Sequence, residues 1–265
     1  MPPIDPAVLR RHTAALPGKF PDAVAVAALV RRLLDEYADR THRASPVVTT
    51  SAPANEYKAP APVVRAITNA LRPLLKSDPA AARQTADTVW AGGSREERRI
   101  AADWLGQVAL AAPAAALALI ERWAPQVESA DTADALAELA LGPLMRAEPT
   151  RYLEIARRWV VGPARWVRRL GAAALTPLVN DRQWDNVPAA LAVLRPLMGE
   201  GDGEVRRTAA QVLEKLGPKS PPEVSRFLRE QAVRANANTQ WIIRNALAGL
   251  PEADQAEIIR LLRSY

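Results

Sequence analysis

Trp166-Val-Arg-Arg169 returns as Glu204-Val-Arg-Arg207 and again as Trp241-Ile-Ile-Arg244. Carried toward the N-terminus, the last position of the motif gives Arg99, Asp134, Arg169, Arg207 and Arg244, at steps of 35, 35, 38 and 37 residues. A second series interleaves with it: Pro79, Pro113, Pro149, Pro188, Pro221 and Pro251 each open a helical pattern, at steps of 34, 36, 39, 33 and 30. A period in the thirties that carries two helices marks a stacked helical array. The chain is therefore predicted to be all-α, a HEAT-like helical repeat superhelix (an α-solenoid). Tetratricopeptide repeats have a similar period, but their small-residue and aromatic consensus does not recur here.

Local signals support the period. Asp78-Pro79 joins an N-cap acceptor to a proline at the first helical position, where its missing N–H costs nothing. Ser94-Arg-Glu-Glu97 has the capping-box pattern. Further helices are expected over about 22–38, 62–76, 113–125, 131–145, 149–160, 165–179, 188–198, 203–216, 221–234, 239–249 and 252–263, with Gly217-Pro218 and Leu250-Pro251 as stops. Residues 1–20, with prolines at 2, 3, 6 and 17, read as frayed. Residues 41–56 carry hydroxyls and proline without a helical period and read as a mobile linker. The organisation expected is an N-terminal helix and mobile linker over 1–56 and a HEAT-like repeat domain over 57–265.

The 265 residues include no cysteine and only two histidines, His12 and His42. Disulfides and cysteine chemistry are excluded, and neither a histidine base nor a metal centre is expected. No apolar run reaches the ~20 residues of a membrane span. Neither cofactor nor metal is expected, and the chain reads as a cytoplasmic monomer. The net charge of +6 is modest for this length, so its clustering matters more than its sum.

That clustering lies near the starts of the second helices: Arg98-Arg99, Arg165 with Arg168-Arg169, Arg206-Arg207, and Arg244. Guanidinium groups in register match a row of phosphates, which arginine grips in bidentate fashion. The alternative is that these arginines are repeat consensus, each bonding a neighbouring loop. Asp134 stands where the other units have arginine. It could be held ionised by Arg169 and act on a developing positive charge, or it could be the third residue of a capping box started by Asp131. Trp90, Trp104, Trp123 and Trp159 recur at helical spacing and are expected in the core. Trp166 and Trp241 precede ridge arginines by three residues and either pack the repeat interface or stack on nucleotides. Gly-rich phosphate loops, His-Glu-x-x-His and serine-triad patterns are absent.

Five segments resemble the bacterial DNA alkylation repair proteins, alkylpurine DNA glycosylases of the AlkD and AlkC type. They are Tyr57-Lys-Ala-Pro-Ala-Pro-Val-Val-Arg65, Val89 to Leu105, Ser129-Ala-Asp-Thr-Ala-Asp134, Ala164-Arg-Trp-Val-Arg-Arg169 and Asn238 to Leu247. The resemblance implies binding of duplex DNA and excision of cationic purines such as 3-methyladenine and 7-methylguanine. It implies Asp134 as the catalytic carboxylate and Arg169 as a phosphate clamp; the register of the repeats, read with it, puts Arg99, Arg165, Arg168, Arg169, Arg206, Arg207 and Arg244, with Trp166 and Trp241, on the DNA-binding face. Two tryptophans of the AlkD branch are replaced, by Ala130 and Gln211. A HEAT protein that binds unusual DNA structures without excision, and a protein-binding HEAT scaffold, are the alternative readings.

Overall fold

The computed structural model describes residues 5–39 and 55–263, and every regular element among them is helical. The linker expected at 41–56 lies outside the described residues except for its last two, which have no regular structure. Two compact units divide the chain, Met1–Arg122 and Trp123–Tyr265.

The first unit holds α1 (Pro6–Thr13), α2 (Ala23–Glu36), α3 (Ala61–Leu75), α4 (Pro79–Trp90), α5 (Arg95–Val108) and nearly all of α6 (Pro113–Trp123). Within it α1 packs on α3, α3 on α5, α2 on α4 and α4 on α5. The fraying expected for residues 1–20 is not what residues 5–19 show. Asp5 caps α1 by accepting from the Ala7 N–H at 2.7 Å, Pro6 fills the first helical position, and Pro17 starts a single 3-10 turn. Proline here initiates structure, as it does at the other helix starts. His12 thereby gains a defined setting, 2.9 Å from Glu36 and 3.1 Å from the Tyr37 hydroxyl. The Ser94–Glu97 capping box forms as expected, with reciprocal bonds to both backbone N–H groups.

The second unit carries α7 (Ala130–Ala135), α8 (Gly142–Ala147), α9 (Pro149–Val160), α10 (Arg165–Ala173), α11 (Thr176–Val179), α12 (Val187–Leu194), α13 (Gly203–Leu216), α14 (Pro221–Ala232), α15 (Ala237–Ala246) and α16 (Glu252–Arg263). Two rows of helices run through this unit. In one, α9 packs on α12, α12 on α14 and α14 on α16; in the other, α7 packs on α10, α10 on α13 and α13 on α15. The proline series opens the first row: Pro149 and Pro221 are the first residues of α9 and α14, Pro188 is the second of α12, and Pro251 immediately precedes α16. The charged series falls in the second row.

Small residues let the rows approach. Gly171 of α10 faces α9 so closely that a Cβ would lie 2.8 Å from the Val160 N and 3.0 Å from the Ala156 carbonyl oxygen. The core is the apolar side of each helix: in α13, Val205, Ala209, Val212, Leu213 and Leu216 are buried at helical spacing. Trp90, Trp104, Trp123 and Trp159 are buried as expected.

One irregularity separates α7 from α8, a π-helical stretch from Leu136 to Leu141. Pro143 explains it: in an α-helix its ring would press on the carbonyl four residues earlier, and it has no N–H to donate. The wider turn relieves that contact without ending the helix.

Candidate functional site

The second row of helices sets the register of the charged series. Ser129 caps α7, its Oγ accepting from the Thr132 N–H at 3.2 Å, which places Asp134 five residues beyond the cap. Arg169 stands at the same distance from the Ala164 cap of α10, Arg207 from the Asp202 cap of α13, and in the first unit Arg99 from Ser94. The capping-box alternative for Asp134 is thereby removed, because Ser129 rather than Asp131 is the cap. In α15 the cap is Asn236, so Trp241 takes the shared position and Arg244 lies three residues deeper. The Trp241-Ile-Ile-Arg244 motif is thus offset from its two partners.

Because α7, α10 and α13 pack in sequence, these positions meet. Arg169 donates from Nη1 to Asp134 Oδ1 at 2.8 Å and from Nη2 to Oδ2 at 3.1 Å, a bidentate pair. Nη1 also donates to the Ala130 carbonyl at 3.0 Å. The two partners differ sharply in exposure: the Arg169 side chain is 6% accessible and that of Asp134 is 49%. A buried cation thus holds a carboxylate that still faces solvent. The third nitrogen, Nε, is buried with no hydrogen-bond partner, and Glu204 Oε2 stands 4.0 Å from it. Glu204 Oε1 pairs in turn with Arg207 Nη1 at 2.5 Å. Asp134, Arg169, Glu204 and Arg207 therefore form a row of alternating charge, where the sequence predicts arginine with one aspartate.

The neighbouring arginines are also engaged. Arg168 forms a two-point pair with Glu200, Nε to Oε2 at 2.7 Å and Nη2 to Oε1 at 3.2 Å, and donates to the Gly162 and Pro163 carbonyls. Desolvation works to raise the Glu200 carboxyl pKa, but bonds from Arg168 and from the Asp202 N–H, with the Arg168 charge, hold it below its usual range. The hydrogen bond to Glu200 pushes Arg168 upward in return. This is the repeat-consensus role, a bond to a neighbouring loop. Arg206 donates to Asn238 at 3.1 Å and lies over Trp241, its guanidinium carbon 4.6 Å from the ring centroid. Arg165 lies over Trp166 at 4.9 Å and 3.7 Å from Asp202. Trp166 and Trp241 are both partly exposed. Arg165, Arg207 and Arg244 are exposed, the last bonded to Gln240 of its own helix at 3.4 Å. Arg99 is exposed on α5 of the first unit.

Sequence reasoning places Asp134 beside Arg169 but does not anticipate Glu200, Asp202, Glu204 and Asn238 as partners. The available signal is the spacing itself, since each of these bonds across helices joins residues about one repeat apart. Ala130, at the start of α7, is partly exposed, and Gln211, on α13, is exposed. Among the described residues, no three of His, Cys, Asp and Glu converge in a way that could hold a metal ion, and no helix is long and apolar enough to cross a membrane.

Three solved structures are similar over most of the chain. An engineered protein shares 15% identity and a TM-score of 0.44, over 95% of this chain and 97% of its own. The complex of CpcE and CpcF of phycocyanin lyase from Nostoc sp. PCC7120 shares 19% and 0.36, over 100% and 96%. A second engineered protein shares 16% and 0.40, over 97% and 77%. No curated protein sequence matches significantly. A family model does: that of the DNA alkylation repair enzyme matches residues 31–250, most of the chain, which therefore belongs to the DNA alkylation repair enzyme family.

Proposed function

We propose that this chain is a HEAT-like DNA alkylation repair protein of the AlkD/AlkC kind that acts as a monomer on duplex DNA. The helix starts of α7, α10, α13 and α15 meet the duplex, and the N-glycosidic bond of cationic purines such as 3-methyladenine and 7-methylguanine is hydrolysed there. The observation that carries this reading is the half-exposed Asp134 carboxylate fixed by a buried guanidinium. A cationic base is already a good leaving group, so excision asks little of acid catalysis. What it needs is a negative charge held where the sugar becomes positive, and a carboxylate clamped at both oxygens requires little reorganisation in the transition state. In this account Asp134 stabilises the oxocarbenium-like sugar, and Arg169 positions Asp134. Its burial and its bonds to Asp134 and Ala130 leave it little freedom to grip a phosphate, so that role passes to the exposed Arg165, Arg207 and Arg244.

The test is release of free base from methylated duplex DNA. Wild type is expected to release base and Asp134→Asn to lose about 10²-fold or more, the scale of losing one preorganised charge stabiliser. DNA binding without release would favour the second reading, a non-excising binder of unusual DNA, which Ala130 and Gln211 support by removing two expected aromatic groups. Absence of salt-sensitive DNA binding would leave the protein-scaffold reading.

A further inference from the structure

Hydrolysis needs a nucleophile as well as a charge stabiliser, and Asp134 is poorly arranged to activate one. Both of its oxygens already accept from Arg169, so taking a proton would cost the pair that holds it in place. Glu204 is arranged differently. Its Oε1 is bonded to Arg207, while Oε2 makes no hydrogen bond among the described residues and stands 4.0 Å from the buried Nε of Arg169. That separation is too long for a direct hydrogen bond, and Nε is closed to solvent, so Oε2 is left to accept from the solvent side. Glu204 itself is open to solvent, its side chain being 36% accessible. The two carboxylates therefore occupy neighbouring edges of one guanidinium, one tied at both oxygens and one with an oxygen to spare.

We propose that Glu204 is the general base of the reaction, activating a water that its Oε2 accepts from the solvent side, while Asp134 only stabilises charge. This rests on the glycosylase reading above. In the step, the water oxygen forms a bond to C1′ of the damaged nucleotide as the bond from C1′ to the purine nitrogen breaks. The electron pair of the broken bond goes to the purine and cancels its positive charge. The proton leaving the water goes to Glu204 Oε2 and from there to solvent. The products are an abasic sugar and a neutral alkylated base.

The experiment is single-turnover base release from methylated duplex by wild type, Asp134→Asn, Glu204→Gln and Glu204→Ala, with DNA affinity and thermal unfolding measured alongside. Glu204→Gln is expected to slow release about 10²-fold, at the lower end of general-base effects, with DNA affinity no weaker than that of wild type and unfolding still cooperative. Added formate is expected to restore part of the rate in Glu204→Ala, a recovery that a structural role would not show. Wild-type rates in Glu204→Gln, or a loss in Glu204→Ala that formate leaves untouched, would overturn the assignment. If Asp134→Asn still abolished release in either case, the glycosylase reading would stand without it. No release by the wild type would overturn both.

Discussion

Removing Asp134 should destabilise the second unit, by an amount that follows from the exposure of the two partners. In Asp134→Ala, Arg169 remains a charged group with 6% of its side chain accessible and one hydrogen-bond acceptor, the Ala130 carbonyl at 3.0 Å, with the Glu204 carboxylate 4.0 Å from its Nε. Breaking a fully buried pair in this way costs about 3–5 kcal/mol, and breaking an exposed one about 0–1. Here one member is buried and the other half-exposed, so water can reach the guanidinium from the side Asp134 vacates. An intermediate cost of about 2 kcal/mol is expected. At roughly 2–4 °C per kcal/mol for a chain of this size, the melting temperature should fall by about 4–8 °C. Arg169→Met removes the buried charge together with its need for a partner. In the double variant the second substitution should therefore cost much less than alone, giving a coupling of about 1.5 kcal/mol in a double-mutant cycle. Urea unfolding followed by tryptophan fluorescence provides the measurement. A coupling below about 0.5 kcal/mol, with Asp134→Ala melting like wild type, would mean that the pair is not held in solution. Arg169 would then be free to serve as the phosphate clamp that the family resemblance implies.

Two further outcomes are expected. Glu200 has a carboxyl pKa below its ordinary value because Arg168 and the Asp202 N–H bond its charged form, so its contribution to stability is present above the unfolded-state value of ~4.3 and is lost as the pH falls through the folded-state value. The gap in urea midpoint between wild type and Glu200→Gln should be constant above about pH 5 and close on acidification; a gap that widens would show the sign to be wrong. On the DNA side, Arg165→Gln, Arg207→Gln and Arg244→Gln should each reduce the slope of log affinity against log salt by about 1, while Arg168→Gln should leave the slope alone and lower stability. Fluorescence anisotropy with a duplex over a salt series separates the two behaviours, and a slope change confined to Arg168→Gln would reverse the assignment.

The proline series was legible because it acts locally: a proline at a helix start needs only its own φ and its missing N–H, whatever packs on it later. The same rule, applied too narrowly, misread the N-terminus, where Pro6 and Pro17 open helical turns that the density of prolines suggested would fray. The offset of α15 has another origin. Trp-x-x-Arg looks the same wherever it sits along a helix, since a shift of three residues nearly preserves the face, and only the Asn236 cap fixes the frame. Ser129 and Asp131 are both good caps by residue type, and only the extended backbone at Ser129 shows which one begins α7.

Partners across repeats were the least legible, yet their spacing is regular. Arg169 reaches back 35 residues to Asp134, Arg168 forward 32 to Glu200, and Arg206 forward 32 to Asn238. A charge repeated at the period of the array is thus in position to bond the next unit as well as to share a face with it. In-register arginines alone cannot separate a binding surface from a set of interhelical links. The distinction lies in whether an acid or amide one repeat away accepts a hydrogen bond from the guanidinium. By that criterion Arg168, Arg169 and Arg206 belong to the links. Arg207 and Arg244, whose closest partners are Glu204 and Gln240 of their own helices, remain the better candidates to meet a phosphate.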